Sequence, residues 1–306
     1  MNQVYHHITQ QLDDSSDPRI GVSYKSAWQG LTDQIGFTTI QLNGEAHIYT
    51  SDIDQWIAGA VFLHDNASTG KLQNNLVQIH ARYRRVIPMS KQAHQTLHVQ
   101  MGAGIRMGGY NLDPNDLWFG RQFDIANNTI NTNLSSGEST IIESTNYWSV
   151  LLSASGTYTF GKSHKIYLGI SGANLNAPNI SLLNSTEVLP RSYFGTLQIS
   201  SVLNKQIMQD IQLAYQHIGN LQNILAAYRM HFNMNAEDSN VYVGLGTRLG
   251  NGIDRWQLNS MAFLFGINFS PFSIEFNYER SLSPFSQGSN GGSTFELALA
   301  YRIRSN

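Results

Sequence analysis

The amino-acid sequence predicts an all-β protein, a single antiparallel transmembrane β-barrel of about 14 strands with both termini in the periplasm. Three observations lead to this prediction. Apolar and polar residues alternate with a period of two through most of the chain, and helical periodicity is nearly absent. The alternating segments run for about ten residues, the length that a tilted strand needs to cross a membrane. Charged residues make up 13% of the chain, against roughly 25% in soluble domains.

The alternation is clearest in residues 97–107, where apolar residues hold the odd positions and polar, charged or very small residues hold the even ones. A soluble sandwich would turn the apolar face inward, whereas a membrane barrel turns it outward to the lipid. Aromatic residues near the predicted strand ends favour the membrane barrel, because such residues form girdles at both membrane surfaces. They are Trp28, Trp56, Tyr83, Tyr110, Trp148, Phe160, Tyr193, Trp256, Phe269, Tyr278, Phe295 and Tyr301.

Traced along the chain, the alternation predicts strands at residues 20–31, 37–49, 55–64, 72–87, 95–110, 145–160, 165–173, 191–203, 208–218, 221–233, 240–249, 256–269, 272–280 and 293–304. Their even number agrees with bacterial outer-membrane barrels. The long connections, residues 111–144, 174–190 and 281–292, all follow odd-numbered strands, and the short turns at 161–164 and 270–271 follow even-numbered ones. Long loops on one side only are typical of outer-membrane barrels, in which they face outward.

The chain divides into a polar N-terminal segment, residues 1–18, and the predicted barrel, residues 19–306. The segment carries Asp13, Asp14 and Asp17. Two interpretations remain open: a tail in the periplasm, or a segment that enters or caps the lumen. The first residues show no apolar stretch of the length that a signal peptide needs, which leaves a cytoplasmic protein or a mature or truncated chain. The barrel pattern favours the second, so we expect a mature or truncated chain in the outer membrane.

The composition argues against several classes of function. The absence of cysteine excludes disulfide scaffolds, thiolate metal sites and cysteine nucleophiles. A net charge of −2 provides no basic excess for nucleic acid. We find no nucleophile motif and no matched set of Ser, His and acid, so we expect no catalytic residues and no enzyme. The acids of residues 113–124 lack the spacing of a calcium loop, and no cofactor or metal is expected.

The polar strand faces provide the candidate lumen residues. Two interpretations stay open for them: a satisfied network that fixes the barrel's shape, or a binding surface for a plug or for a partner's terminus. Trp118 and Phe119, in the long loop after the fifth strand, can fold inward as a constriction or bind a partner. Arg191 follows Pro190 at a strand start and is expected to pair with a lumen acid. The candidate partner-binding residues are Arg82, Arg106, Trp118, Phe119, Arg191, Arg229, His231, Arg248, Glu275, Glu279 and Glu296; Glu45, His80, His98 and Arg302 complete the ionisable lumen set.

Several segments resemble the PorP/SprF family of type IX secretion outer-membrane proteins from Bacteroidetes-type bacteria. The segment RIGVSYKSAWQGL, with Tyr24 and Trp28, resembles the family's opening hairpin. MGAGIRMGGYNLDPNDLWFGRQFD resembles the strand and long outer loop that follow, and Leu189, Pro190 and Arg191 resemble a later loop end. The family's Asn-Pro-Ala-x-Ala-Gly element is replaced here by DDSSDPRIG.

The resemblance implies a non-enzymatic outer-membrane barrel of the type IX secretion and gliding motility machinery, which binds, anchors or assists export of a surface protein through an adhesin-type C-terminal domain. It implies as partners the secreted protein, other secretion components such as periplasmic ring proteins and lipoproteins, and outer-membrane lipid. The residues alone leave open a passive channel for small solutes, a FadL-like plugged barrel. A structural subunit of a larger envelope complex is a further alternative.

Overall fold

The computed structural model describes residues 17–29, 36–67, 72–90, 94–112, 120–125, 127–131, 133–135, 137, 144–161, 163–182, 185–234, 239–251, 255–282 and 292–304. Residues 1–16 of the predicted N-terminal segment therefore lie outside the described residues, as do Trp118 and Phe119. Within the described ranges, no helix is long and apolar enough to span a membrane.

Fourteen antiparallel strands form one closed barrel, in which each strand pairs with its neighbours in chain order and the first pairs with the last. This confirms the predicted single antiparallel barrel of 14 strands. The barrel strands are β1 (Arg19–Gln29), β2 (Phe37–Thr50), β3 (Asp54–Ala67), β4 (Leu72–Ser90), β5 (Gln95–Asn111), β8 (Ser144–Phe160), β9 (His164–Ala173), β10 (Ser192–Val202), β11 (Ile207–Ile218), β12 (Leu221–Asn233), β13 (Ser239–Asn251), β14 (Trp256–Phe269), β15 (Phe272–Ser281) and β16 (Ser293–Arg302).

Two further strands of two residues each, β6 (Phe123–Asp124) and β7 (Thr129–Ile130), pair with each other in the connection between β5 and β8. Such short strands carry too little alternation to be predicted. The long connections after β5, β9 and β15 lie at one end of the barrel, as expected. The first and last described residues lie together at the other end, where the backbone N–H of Ile303 donates to the carbonyl of Pro18 at 2.8 Å.

The strand register fixes the size of the barrel. Paired residues can be followed from one strand to the next around the barrel, starting at Ile87 of β4. The path returns to β4 at Gln73, a shift of fourteen residues. Shear and strand number are therefore equal, which gives a tilt of about 36°. With normal strand spacing, the backbone cylinder is about 26 Å across. Wall side chains just fill an eight-stranded barrel, so this lumen has room for more than its own wall.

The two faces of the wall have opposite chemistry. Met101, Leu168 and Ile170 point outward and are each about 60% exposed, whereas Gln78, Arg82 and Ser149 are buried on the inner face. This inside-out arrangement is the one that lipid requires of a spanning barrel.

Aromatic side chains border the outer face near the strand ends. The rings of Trp56 and Tyr83 lie 5.1 Å apart, and those of Phe272 and Tyr301 lie 4.9 Å apart. Tyr110 is a correction to the predicted girdle: it faces the lumen, because it shares the inward parity of Arg106, and its ring stacks on Tyr147 at 5.7 Å.

Candidate lumenal binding site

The first cluster of lumenal charges surrounds Glu45. Register places Glu45 and His80 on either side of Gly59, and Nε2 of His80 lies 3.2 Å from Oε1 of Glu45. Arg82 donates to Oε2 of the same carboxylate at 2.9 Å, and Arg19 donates to it at 3.2 Å. A Cβ at position 59 would lie 2.5 Å from the His80 ring and 2.9 Å from Cγ of Glu45. The contact therefore depends on glycine at this position.

A basic wall continues from this cluster along β4 and β5. Arg82, Arg84 and Arg106 are only 1%, 4% and 3% exposed. Arg106 donates to Oε1 of Gln78 at 2.8 Å, and Arg84 contacts Nδ1 of His98. Burying guanidinium groups is costly unless their N–H groups have acceptors. The wall is thus a fixed array of donors held by partners on neighbouring strands.

A second cluster surrounds Asp210 on β11. Arg229 donates through Nε to Oδ1 of Asp210 at 2.9 Å, and Nε2 of His231 lies 3.3 Å from Oδ2. The guanidinium carbon of Arg229 also lies 5.8 Å from the ring centre of Tyr242, close enough for a cation–π contact. Both clusters therefore share one plan, in which a carboxylate accepts from an arginine and faces a histidine.

The opposite side of the lumen, on β13 to β15, is more open. Arg248 donates to Oε2 of Glu279 at 3.0 Å, and about a quarter of each side chain is exposed. Ser260 donates to the other oxygen of Glu279. Tyr242 and Glu275 interact across Gly266, where a Cβ would collide with the tyrosine ring. Acidic groups that water still reaches thus face the packed basic wall.

The connection after β9 packs against the lumenal wall at the long-loop end. Ile180 and Leu189 pack against a buried cluster of Leu63, Leu76 and Tyr147. Two backbone hydrogen bonds, from Ile180 to Glu187 at 2.7 Å and from Leu189 to Pro178 at 2.8 Å, fold this connection into a small hairpin. This hairpin anchors the connection to the wall.

Register and burial locate the sequence-predicted candidates. Those that share the lumenal face of the described strands are Arg82, Arg106, Arg229, His231, Arg248, Glu275, Glu279 and Glu296. Arg191 corrects an expectation, because its side chain is exposed and its Nε donates to the carbonyl of Leu175 at 3.0 Å. It therefore ties its loop through the backbone, not through a lumen acid. Trp118 and Phe119 fall outside the described residues.

Sequence reasoning missed several lumenal ionisable residues, among them Asp210 and Arg84. The signal for Asp210 was present, because Ile211, Leu213 and Tyr215 alternate as an outward face and leave position 210 inward. Among the described residues, no group of His, Asp and Glu could hold a metal ion. The arrangement offers hydrogen bonds and charge, which suit recognition of a polar ligand.

Comparison with known proteins gives a family match over nearly the whole chain. A family model for the type IX secretion system membrane protein PorP/SprF matches residues 13–301. No curated protein sequence matches the chain.

Solved structures with a similar fold are outer-membrane barrels. The Pseudomonas putida toluene transporter TodX has 10% identity and a TM-score of 0.54, with 98% of this chain and 93% of that chain covered. A Pseudomonas aeruginosa FadL homologue has 8% identity and a TM-score of 0.52, covering 95% and 91%. The Ralstonia pickettii toluene transporter TbuX has 8% identity and a TM-score of 0.50, covering 95% and 90%. At these identities the likeness shows the fold alone.

Proposed function

This chain belongs to the PorP/SprF family of type IX secretion system membrane proteins, and we propose that it acts without catalysis to bind, anchor or assist the export of a secreted surface protein. It is an outer-membrane β-barrel, and its family implies interaction with other secretion components. The proposed ligand is the C-terminal domain of the surface protein, and the proposed binding face is the lumen.

The observation that carries the proposal is the pairing of a packed basic wall with a more open acidic wall inside one wide barrel. Arg82 and Arg106 are buried among fixed partners, whereas Glu279 and its neighbour Arg248 remain partly accessible. A preorganised set of donors and acceptors binds a polar polypeptide segment at low entropic cost. An open pore for water and ions would not require such complete burial of charged groups on one side.

A passive solute channel remains the second candidate. It is favoured by one observation, the partly accessible side chains on β13 to β15. The two functions differ in what stays bound to the purified barrel and in ion conductance.

The test is recovery of the native protein in mild detergent, followed by mass spectrometry of the proteins that stay bound. The proposal predicts a surface protein with its C-terminal domain at near-equal amounts. Glu275→Gln, on the lumenal face of β15, should reduce this recovery, and Phe276→Leu, on the lipid face of the same strand, should leave it unchanged. A barrel recovered alone that conducts ions in planar bilayers would support the channel instead.

A further inference from the structure

A groove of about 540 Å³ opens on the outer wall near the long-loop end of β3, β4, β5 and β8. Its apolar side is formed by Phe62, Val77, Met107 and Trp148. These residues are register partners and form one outward-facing row across the four strands. The groove therefore lies in the surface that the membrane covers.

The next row toward the strand ends is polar. It consists of His64, Asn75, Gly109 and Asn146, again paired across the same four strands. Nδ1 of His64 lies 2.7 Å from Oδ1 of Asn75. The change from an apolar row to an amide row marks the level at which hydrocarbon gives way to headgroups.

Gly109 leaves a depression in the polar row, because it has no side chain. On either side of it in that row, Asn75 and Asn146 carry amides, and the adjacent apolar row contains Met107 and Trp148. Asn111 adds a further amide, and none of the described residues that line the groove is charged. The volume falls within the range of small-molecule sites.

We propose that this groove binds one acyl chain of a lipid from the membrane leaflet at the long-loop end, with hydroxyl or amide groups of that lipid on the asparagines. The occupant follows from the site's position, because the groove opens into the lipid-facing surface and continues its apolar row. The described lining residues are uncharged and include three asparagines, which favours polar but uncharged lipid groups, since a phosphate would be expected to recruit Arg or Lys.

The test is native mass spectrometry of the complete barrel after exchange into a delipidating detergent. Wild type should retain one lipid per barrel. In Gly109→Leu a side chain fills the groove; its Cβ would lie 2.6 Å from the amide oxygen of Asn146, so that flexible side chain must turn aside, and 3.4 Å from the carbonyl of Thr145. The fraction of barrels with a bound lipid should fall about tenfold.

Gly156→Leu is the matched control. Gly156 lies on the outer face of β8, one of the four strands of the groove, and a Cβ there meets nothing closer than 3.9 Å. It should retain lipid like wild type. Equal lipid retention by Gly109→Leu and wild type, or no retained lipid in wild type, would overturn the proposal. If Gly109→Leu fails to form a heat-modifiable barrel, Met107→Ala provides the same test by removing apolar contact.

A second measurement identifies the retained lipid by fragmenting it in the mass spectrometer. A glycolipid or another lipid with hydroxyl or amide groups near its acyl chains is expected. Retention of only an anionic phospholipid, held equally in both glycine variants, would contradict the assigned chemistry.

Discussion

Glu45 and His80, 35 positions apart in the sequence, meet across the bare backbone of Gly59, with Oε1 and Nε2 3.2 Å apart. The same carboxylate accepts hydrogen bonds from Arg82 and Arg19. One acid therefore links β1, β2 and β4 from the inside of the barrel. A lumenal network of this kind fixes the wall on which a ligand can bind.

Gly59→Ala is expected to destabilise the barrel by about 1–3 kcal/mol, because its Cβ would overlap the His80 ring and Cγ of Glu45. The free energy of unfolding in phospholipid vesicles, from guanidinium titration of tryptophan fluorescence, checks this. Gly156→Ala is the control, since a Cβ there meets nothing closer than 3.9 Å. Equal stability of the two variants would refute the close-packing argument.

Asp210→Ala is expected to cost about 3–5 kcal/mol, because it leaves the buried charge of Arg229 without its carboxylate. Combining it with Arg229→Leu should recover part of that loss, since the unpaired cation is then gone. The double-mutant cycle, measured by the same titration, reports the coupling between the two residues. Additive effects of the two single variants would show that the ion pair does not couple them.

Much of the barrel could be predicted from the sequence, because lipid imposes a strict outward alternation. The strand at Trp256–Phe269 matches its predicted bounds, and Arg82 and Arg106 were placed on the lumenal face from parity alone. The inner face of β3 could not be recognised from the sequence, because Ile57, Val61 and Leu63 are apolar although they point inward. Apolar and polar residues then do not alternate along the strand, and the pattern does not show which face is which.

Contacts between strands could not be predicted, since they depend on register and on close approach. The sequence around Gly59 does not indicate that Glu45 and His80 meet there. Arg191 was predicted to pair with a lumen acid and instead donates to Leu175. This hydrogen bond depends on how the connection after β9 folds. The polar sequence of that connection has no periodicity from which its fold could be predicted.

Leu168→Arg is expected to destabilise the barrel by about 2–4 kcal/mol, because Leu168 points outward in the middle of β9 and a charge there would enter the hydrocarbon. Ile20→Arg, at an outward position near the end of β1, should cost only about 0–1 kcal/mol. Refolding yield and unfolding free energy in vesicles measure both. Similar costs at the two positions would contradict the assigned membrane depth.

Arg191→Ala is expected to loosen the hairpin after β9, because it removes the hydrogen bond from Nε to the Leu175 carbonyl. Limited proteolysis of the folded barrel should cleave residues 174–191 faster in this variant. Glu187→Ala, an exposed position in the same connection, is the control and should be cleaved at the wild-type rate. An unchanged rate in Arg191→Ala would show that this bond does not restrain the loop.

Cross-linking from inside the barrel tests most directly whether the lumen receives a segment of a secreted surface protein. The chain contains no cysteine, so one introduced thiol carries a photoactivatable cross-linker at a single site in native membranes. Ala298→Cys faces the lumen beside Glu275, and Leu297→Cys is its lipid-facing neighbour on β16. We predict an adduct with the surface protein's C-terminal domain from position 298 and none from position 297. Equal adducts from both positions, or none from a labelled and folded Ala298→Cys barrel, would contradict the account.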